Sequence, residues 1–62
     1  MKVEHTTTIY NDLGYKLNIN DEIIVNGKKV IFLSANTEAI KFLEISTKKE
    51  KYINYKQIKT LL

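Results

Sequence analysis

The sequence contains no cysteine, no proline, no tryptophan and no arginine, and only two glycines and one histidine. Without cysteine, a disulfide scaffold, a zinc ribbon and a nucleophilic thiol are all excluded. The scarcity of glycine and proline excludes collagen-like chains and flexible linkers. No apolar run approaches the roughly 20 residues that a membrane-spanning helix needs. Met1-Lys2-Val3-Glu4-His5 leads into threonines, so no signal peptide is read. A cytoplasmic protein with no membrane partner is the resulting expectation.

What is present suits a small globular domain. The chain has 62 residues, of which 44% are hydrophobic and 27% charged. One domain, residues 1–62, fits that length. A chain of this size buries only about 60% of its unfolded surface. Lacking disulfides and structural metals, it needs a well-packed β-core or further burial by self-association.

The charge is unevenly placed. Net charge is +3, yet residues 1–31 carry four lysines against four acids, and residues 32–62 carry six lysines against three acids. All of the excess falls in the second half. Every cation is lysine, which binds phosphate as a point charge but lacks the planar fork that reads guanine bidentately. A nucleic-acid ligand would therefore be held by its backbone. The competing reading is a solvated lysine face that reflects genome composition.

Short β-favouring runs alternate with turn residues about every ten positions, which predicts an all-β fold. Residues 6–10 read as a first strand, followed by the turn signal Asn11-Asp12-Leu13-Gly14. Tyr15, Leu17 and Ile19 alternate with Lys16 and Asn18, a period of two. Asn26-Gly27 separates the runs 23–25 and 28–33, and predicts a type I′ hairpin because both central residues need φ > 0. A turn is expected at 34–37. Residues 39–45 fit both helical and strand spacing, and strand is chosen because their neighbours are strands. A charged hairpin tip follows at 47–50, then a strand at 51–54 and one tight turn at 55–57. Residues 58–62 form a last short strand. The alternative is an α+β fold with a C-terminal helix packed on a small antiparallel sheet, since Tyr55, Ile58, Leu61 and Leu62 also suit helical spacing.

The order of these elements resembles the Src-homology-3-like five-stranded barrel. Leu17-Asn18-Ile19-Asn20-Asp21-Glu22-Ile23-Ile24-Val25 resembles the strand that such barrels begin with an apolar-x-apolar-x-x-(Gly/Asp)-(Asp/Glu) run, and residues 52–61 resemble their final strand, 3₁₀ turn and closing strand. The peptide-binding members carry a tryptophan beside their groove, and this chain has none. Tyr10 and Tyr55 match aromatic groove positions. Val25-Asn26-Gly27, with Ile53-Asn54-Tyr55-Lys56-Gln57-Ile58-Lys59-Thr60, is also similar to the hairpin and terminal Tyr-Lys-His motif of Sm/Hfq RNA-binding barrels, with Gln57 where that family has histidine. The resemblance implies a small barrel; fold alone does not assign function.

No catalytic constellation is read, and no enzyme is expected. His5 stands alone near a terminus. Asp21 and Glu22 are adjacent, so a strand would point their carboxylates to opposite faces. Gly14 and Gly27 sit in separate turns and build no phosphate loop. No cofactor and no metal are implied. The candidate nucleic-acid surface comprises Lys48, Lys49, Lys51, Lys56 and Lys59, with Tyr52 and Tyr55 as stacking platforms for bases of RNA or DNA. The alternative is a protein-interaction module, either a homo-oligomer or a regulator docking on a larger protein. Its surface is the doubly apolar run Val30, Ile31, Phe32 and Leu33, of which one face fills a core and the other needs cover.

Overall fold

The computed structural model describes every residue except Thr6 and Thr7, and every side chain outside residues 3–7. The strands are β1 (Lys2–His5), β2 (Thr8–Tyr10), β3 (Glu22–Val25), β4 (Lys28–Ala35), β5 (Ala39–Glu44) and β6 (Lys49–Asn54). A single 3₁₀ turn, Tyr55–Gln57, follows β6. The protein is mainly strand, as the composition implies. The strand expected at 6–10 is seen as β2 over Thr8–Tyr10, while Thr6 and Thr7 lie outside the described residues.

Two antiparallel units are present. β1 pairs with β2, and β3-β4-β5-β6 form a four-stranded meander. Asn26 and Gly27 have φ of 51° and 83°, the two positive values that a type I′ turn needs. That turn sets the register Val25↔Lys28 and Ile23↔Val30. A bulge between Phe32 and Ser34 shifts the β4–β5 register, which then runs Ile31↔Leu43 and Val30↔Glu44. The β5–β6 turn spans residues 45–48, two positions before the expected tip, because Lys48 adopts φ of 57° and donates its N–H to the Glu44 carbonyl at 2.7 Å. Lys49 and Glu50 are therefore already strand.

Side chains alternate across the meander, as a pleated strand requires. Ile23, Val25, Val30, Phe32, Ile40 and Phe42 point to one face and are buried. Ile9, Leu17 and Leu61 complete that core. Leu17 joins because its N–H donates to the Ile9 carbonyl at 2.9 Å. The alternation expected for Tyr15, Leu17 and Ile19 is not realised: Tyr15 and Ile19 are 69% and 68% exposed. Strand pairing here is confined to a bridge between Lys16 and Tyr10, and side chains take neighbouring N–H groups. The Asn11 carboxamide oxygen accepts from the N–H groups of Leu13 and Tyr15, and the Asp21 carboxylate accepts from the Asn18 N–H.

The C-terminal helix of the alternative fold does not form. Asn54 caps the 3₁₀ turn by accepting from the Lys56 N–H at 2.9 Å, and the Gln57 side chain accepts from the Asn54 N–H at 3.3 Å. Beyond it, the N–H groups of Lys59 and Thr60 donate to the Asn26 side chain at 2.6 and 3.1 Å. Leu62 exchanges two backbone hydrogen bonds with Ile24, each 2.9 Å, and Leu61 bridges Val25. Donors spent on Asn26 and β3 cannot build an i→i−4 ladder. The expected closing strand thus shrinks to a bridge at Leu61. Among the described residues, no ladder joins β6 to a strand other than β5, so the sheet is open along that edge. No helix among them is long and apolar enough to cross a membrane.

Candidate functional site

The β6 edge carries the chemistry. Pleating sends Lys49 and Lys51 to the inner side of this strand, opposite Glu44 and Phe42, and Tyr52 to the outer side, opposite Lys41. Glu44 follows Ile40 and Phe42 at a period of two, so β5 carries a carboxylate into the end of the core. It is 4% exposed. Burying a carboxylate is costly unless its oxygens are bonded. Lys28 reaches it at 2.7 Å, the Thr47 hydroxyl at 2.9 Å and Lys51 at 3.3 Å. Hydrogen bonding from Lys28 first, then from Thr47 and Lys51, outweighs burial and draws the Glu44 carboxyl down from 4.5 to about 2. It stays ionised at neutral pH. Beside it lies a hollow of about 380 Å³, lined by Lys28, Phe42, Glu44 and Ile53 among others.

The sequence-predicted lysines divide into two groups. Lys51 is committed to Glu44. Lys48 at the turn, Lys49 at the start of β6, Lys56 in the 3₁₀ turn and Lys59 beyond it are exposed, and none forms an ion pair among the described residues. Two of the acids near them are neutralised, Glu44 by Lys28 and Lys51 and Glu50 by Lys41 at 2.8 Å, while Glu38 lines a hollow with Lys56 and forms no ion pair among the described residues. Unpaired ammonium groups therefore stand at both ends of β6, Lys48 and Lys49 at its start and Lys56 and Lys59 after it, about 20 Å apart at 3.3 Å per residue.

The two tyrosines lie apart from each other: Tyr52 is on the face opposite Lys49 and Lys51, and Tyr55 lines a hollow with Lys56 and Glu38. Tyr52 is 65% exposed on the opposite face, with the Lys41 ammonium 5.8 Å from its ring centroid. Tyr55 is half-buried against the core and donates its hydroxyl to the Asn36 carbonyl at 2.6 Å. Burial raises its phenol above the usual value. The apolar run divides as well. Val30 and Phe32, read as interface residues, are 1% and 3% exposed and belong to the core. Ile31 and Leu33 lie half-buried on the outer face.

Sequence reading missed Lys28, Glu44 and Leu43. The signal existed: the hairpin register puts Lys28 on the inner side with Val25, and the β5 period puts Glu44 inside and Leu43 outside. His5 lies in β1, and its side chain is outside the description. No group of three or more potential metal ligands occurs among the described residues. Comparison with protein-family models, with curated proteins and with solved structures returned no match.

Proposed function

We propose that this chain is a binding module without catalytic activity that holds single-stranded RNA or DNA by the phosphate backbone along its β6 edge. The observation that carries the reading is the set of unpaired ammonium groups at the two ends of β6, Lys48, Lys49, Lys56 and Lys59, with Glu44 and Glu50 between them neutralised by other lysines. Point charges on flexible stems suit phosphate oxygens and confer little base readout. Lys28 and Lys51 add to the local field, less the charge of Glu44. Tyr52 faces away from Lys49 and Lys51, and Tyr55, beside Lys56, is engaged in packing and in its bond to Asn36. The finer fold assignment belongs here too. A spatial order of C-terminal segment, β3, β4, β5, β6, with a 3₁₀ turn before the C-terminal segment, supports a small barrel of the Src-homology-3 or Sm type.

The test is the double variant Lys48→Glu with Lys49→Glu, which touches no core residue. Its affinity for random single strands at low salt should fall at least roughly tenfold, evenly across sequences. Unchanged affinity removes the β6 edge as the site. A loss confined to some sequences would mean that Lys48 and Lys49 contact bases, which contradicts a site that holds the backbone alone.

A further inference from the structure

We propose that the hollow beside Glu44 is a binding site for a small organic anion, whose carboxylate or phosphate group meets the Lys28 and Lys51 ammonium groups while its compact apolar body fills the space inside. This site is separate from the phosphate-backbone contacts assigned to Lys48, Lys49, Lys56 and Lys59.

The hollow has its cause in the sequence. Pleating turns Lys49, Lys51 and Ile53 of β6 inward, so only one of the three inward positions is apolar. An aliphatic residue at 51, opposite Phe42, would fill this end of the core. A lysine instead carries its charged head past the space to water. About 380 Å³ is left, walled by Val25 and Val30 of the hairpin, Phe42 of β5 and Ile53 of β6. Small-molecule sites begin at about 300 Å³, and apolar walls with a few polar groups are their usual composition. The polar groups of this lining are Asn26, Lys28 and Glu44. Asn26 is spent on the C-terminal segment, donating to the Gln57 carbonyl and accepting from Lys59 and Thr60. The Lys28–Glu44 end therefore selects what can bind.

Pairing with Glu44 does not exhaust the two lysines. Two ammonium groups share one carboxylate, which leaves one positive charge uncompensated. Each ammonium has three donors. Lys28 gives one to Glu44 at 2.7 Å, and Lys51 spans both carboxylate oxygens at 3.3 Å, long for a charged pair. The Lys28 and Lys51 side chains are 58% and 49% exposed, against 5% for Glu44. The carboxylate thus stays inside, and donors remain for a second anion from solvent. Lys49, opposite Glu44 on the same face, adds a further positive charge. A cation is disfavoured, because the Glu44 oxygens already accept from Lys28, Thr47 and Lys51. An inorganic anion would leave the apolar walls unused, so the ligand carries an apolar body.

The test is a two-dimensional NMR titration of the isotope-labelled full chain with hexanoate, with phenyl phosphate and with the neutral isostere hexanamide. At least one anion should shift the amide signals of Val25, Val30, Phe42 and Ile53 saturably, with Kd on the order of 1 mM. Hexanamide should bind at least about threefold more weakly than hexanoate. The tighter of the two anions identifies the head group. Lys51→Gln leaves one ammonium for one carboxylate and should remove most of the preference for hexanoate over hexanamide. Ile53→Phe narrows the hollow and should weaken both while keeping their ratio. The spectrum of each free variant checks its fold. The proposal is overturned if neither anion gives saturable shifts by about 50 mM, if hexanamide binds as well as hexanoate, or if Lys51→Gln keeps the full preference. Both variants retain Lys48, Lys49, Lys56 and Lys59, so single-strand binding remains a separate readout.

Discussion

Glu44 is the residue whose chemistry differs most from its surroundings. Its carboxyl is drawn from 4.5 to about 2 in the folded protein, first by Lys28 and then by Thr47 and Lys51. A carboxyl with a lowered folded-state pKa contributes stability that is fully present above its unfolded value and lost as pH falls through the folded one. The protein should therefore lose stability between about pH 4.5 and pH 2. A urea midpoint series across that window should show the decline. In Glu44→Gln the slope should flatten, with the remainder assigned to Asp12, whose carboxyl is lowered by the Met1 ammonium and by the Leu61 N–H. An unchanged slope in the variant would remove Glu44 from the explanation. Tyr55→Phe tests a different residue role. Losing the 2.6 Å bond to the Asn36 carbonyl should cost about 1 kcal/mol in denaturant unfolding. Affinity for single strands should be unaltered; a large loss of affinity would return Tyr55 to the binding surface.

Among the elements, the β3–β4 hairpin does more than reverse the chain. The Asn26 side chain donates to the Gln57 carbonyl at 2.9 Å and accepts from the N–H groups of Lys59 and Thr60. The residue that permits the turn also fastens the C-terminal segment to β3. Asn26→Gly keeps the positive φ and loses the three side-chain bonds, so its cost, about 1–3 kcal/mol, should measure the fastening alone. Gly27→Ala meets no atom within 4 Å, so its cost should be conformational, about 1 kcal/mol at φ of 83°. Amide exchange of Leu61 and Leu62 should rise in the first variant more than in the second.

These elements also show what a sequence can and cannot express. Asn-Gly between apolar runs leaves a backbone few options, so the hairpin and its register were legible. The single turn at Tyr55–Gln57 was legible as well. Tyr15 and Ile19 misled because an alternating pattern does not announce that Asn11 and Asp21 will take the local N–H groups. The C-terminal partner of Asn26, more than thirty residues away, left no local trace. The lysines of the candidate site were legible as composition. Their placement relative to Tyr52 and Tyr55 depends on strand pleat and on where the 3₁₀ turn begins, which short charged segments specify poorly.

At the scale of the whole molecule, a net charge of +3 understates the local field. Pairing confines Lys28, Lys29, Lys41 and Lys51 to their acids and leaves Lys48, Lys49, Lys56 and Lys59 unpaired at the ends of β6. The core is small, so each member counts: Ile40→Ala, at a fully buried site, should cost about 2–5 kcal/mol and unfold much of the population at ambient temperature. Unsupported edges such as β6 are often lined with lysine merely to prevent aggregation. That role predicts solubility and no ligand, whereas a phosphate-binding edge predicts a salt-dependent complex. The measurement that separates them is fluorescence anisotropy of labelled random single-stranded RNA and DNA, titrated with the full chain at two salt concentrations. Four unpaired lysines require an affinity that falls with salt at a logarithmic slope of about −3. Absence of binding at low salt, or binding indifferent to salt, would contradict a phosphate-binding role for the β6 edge.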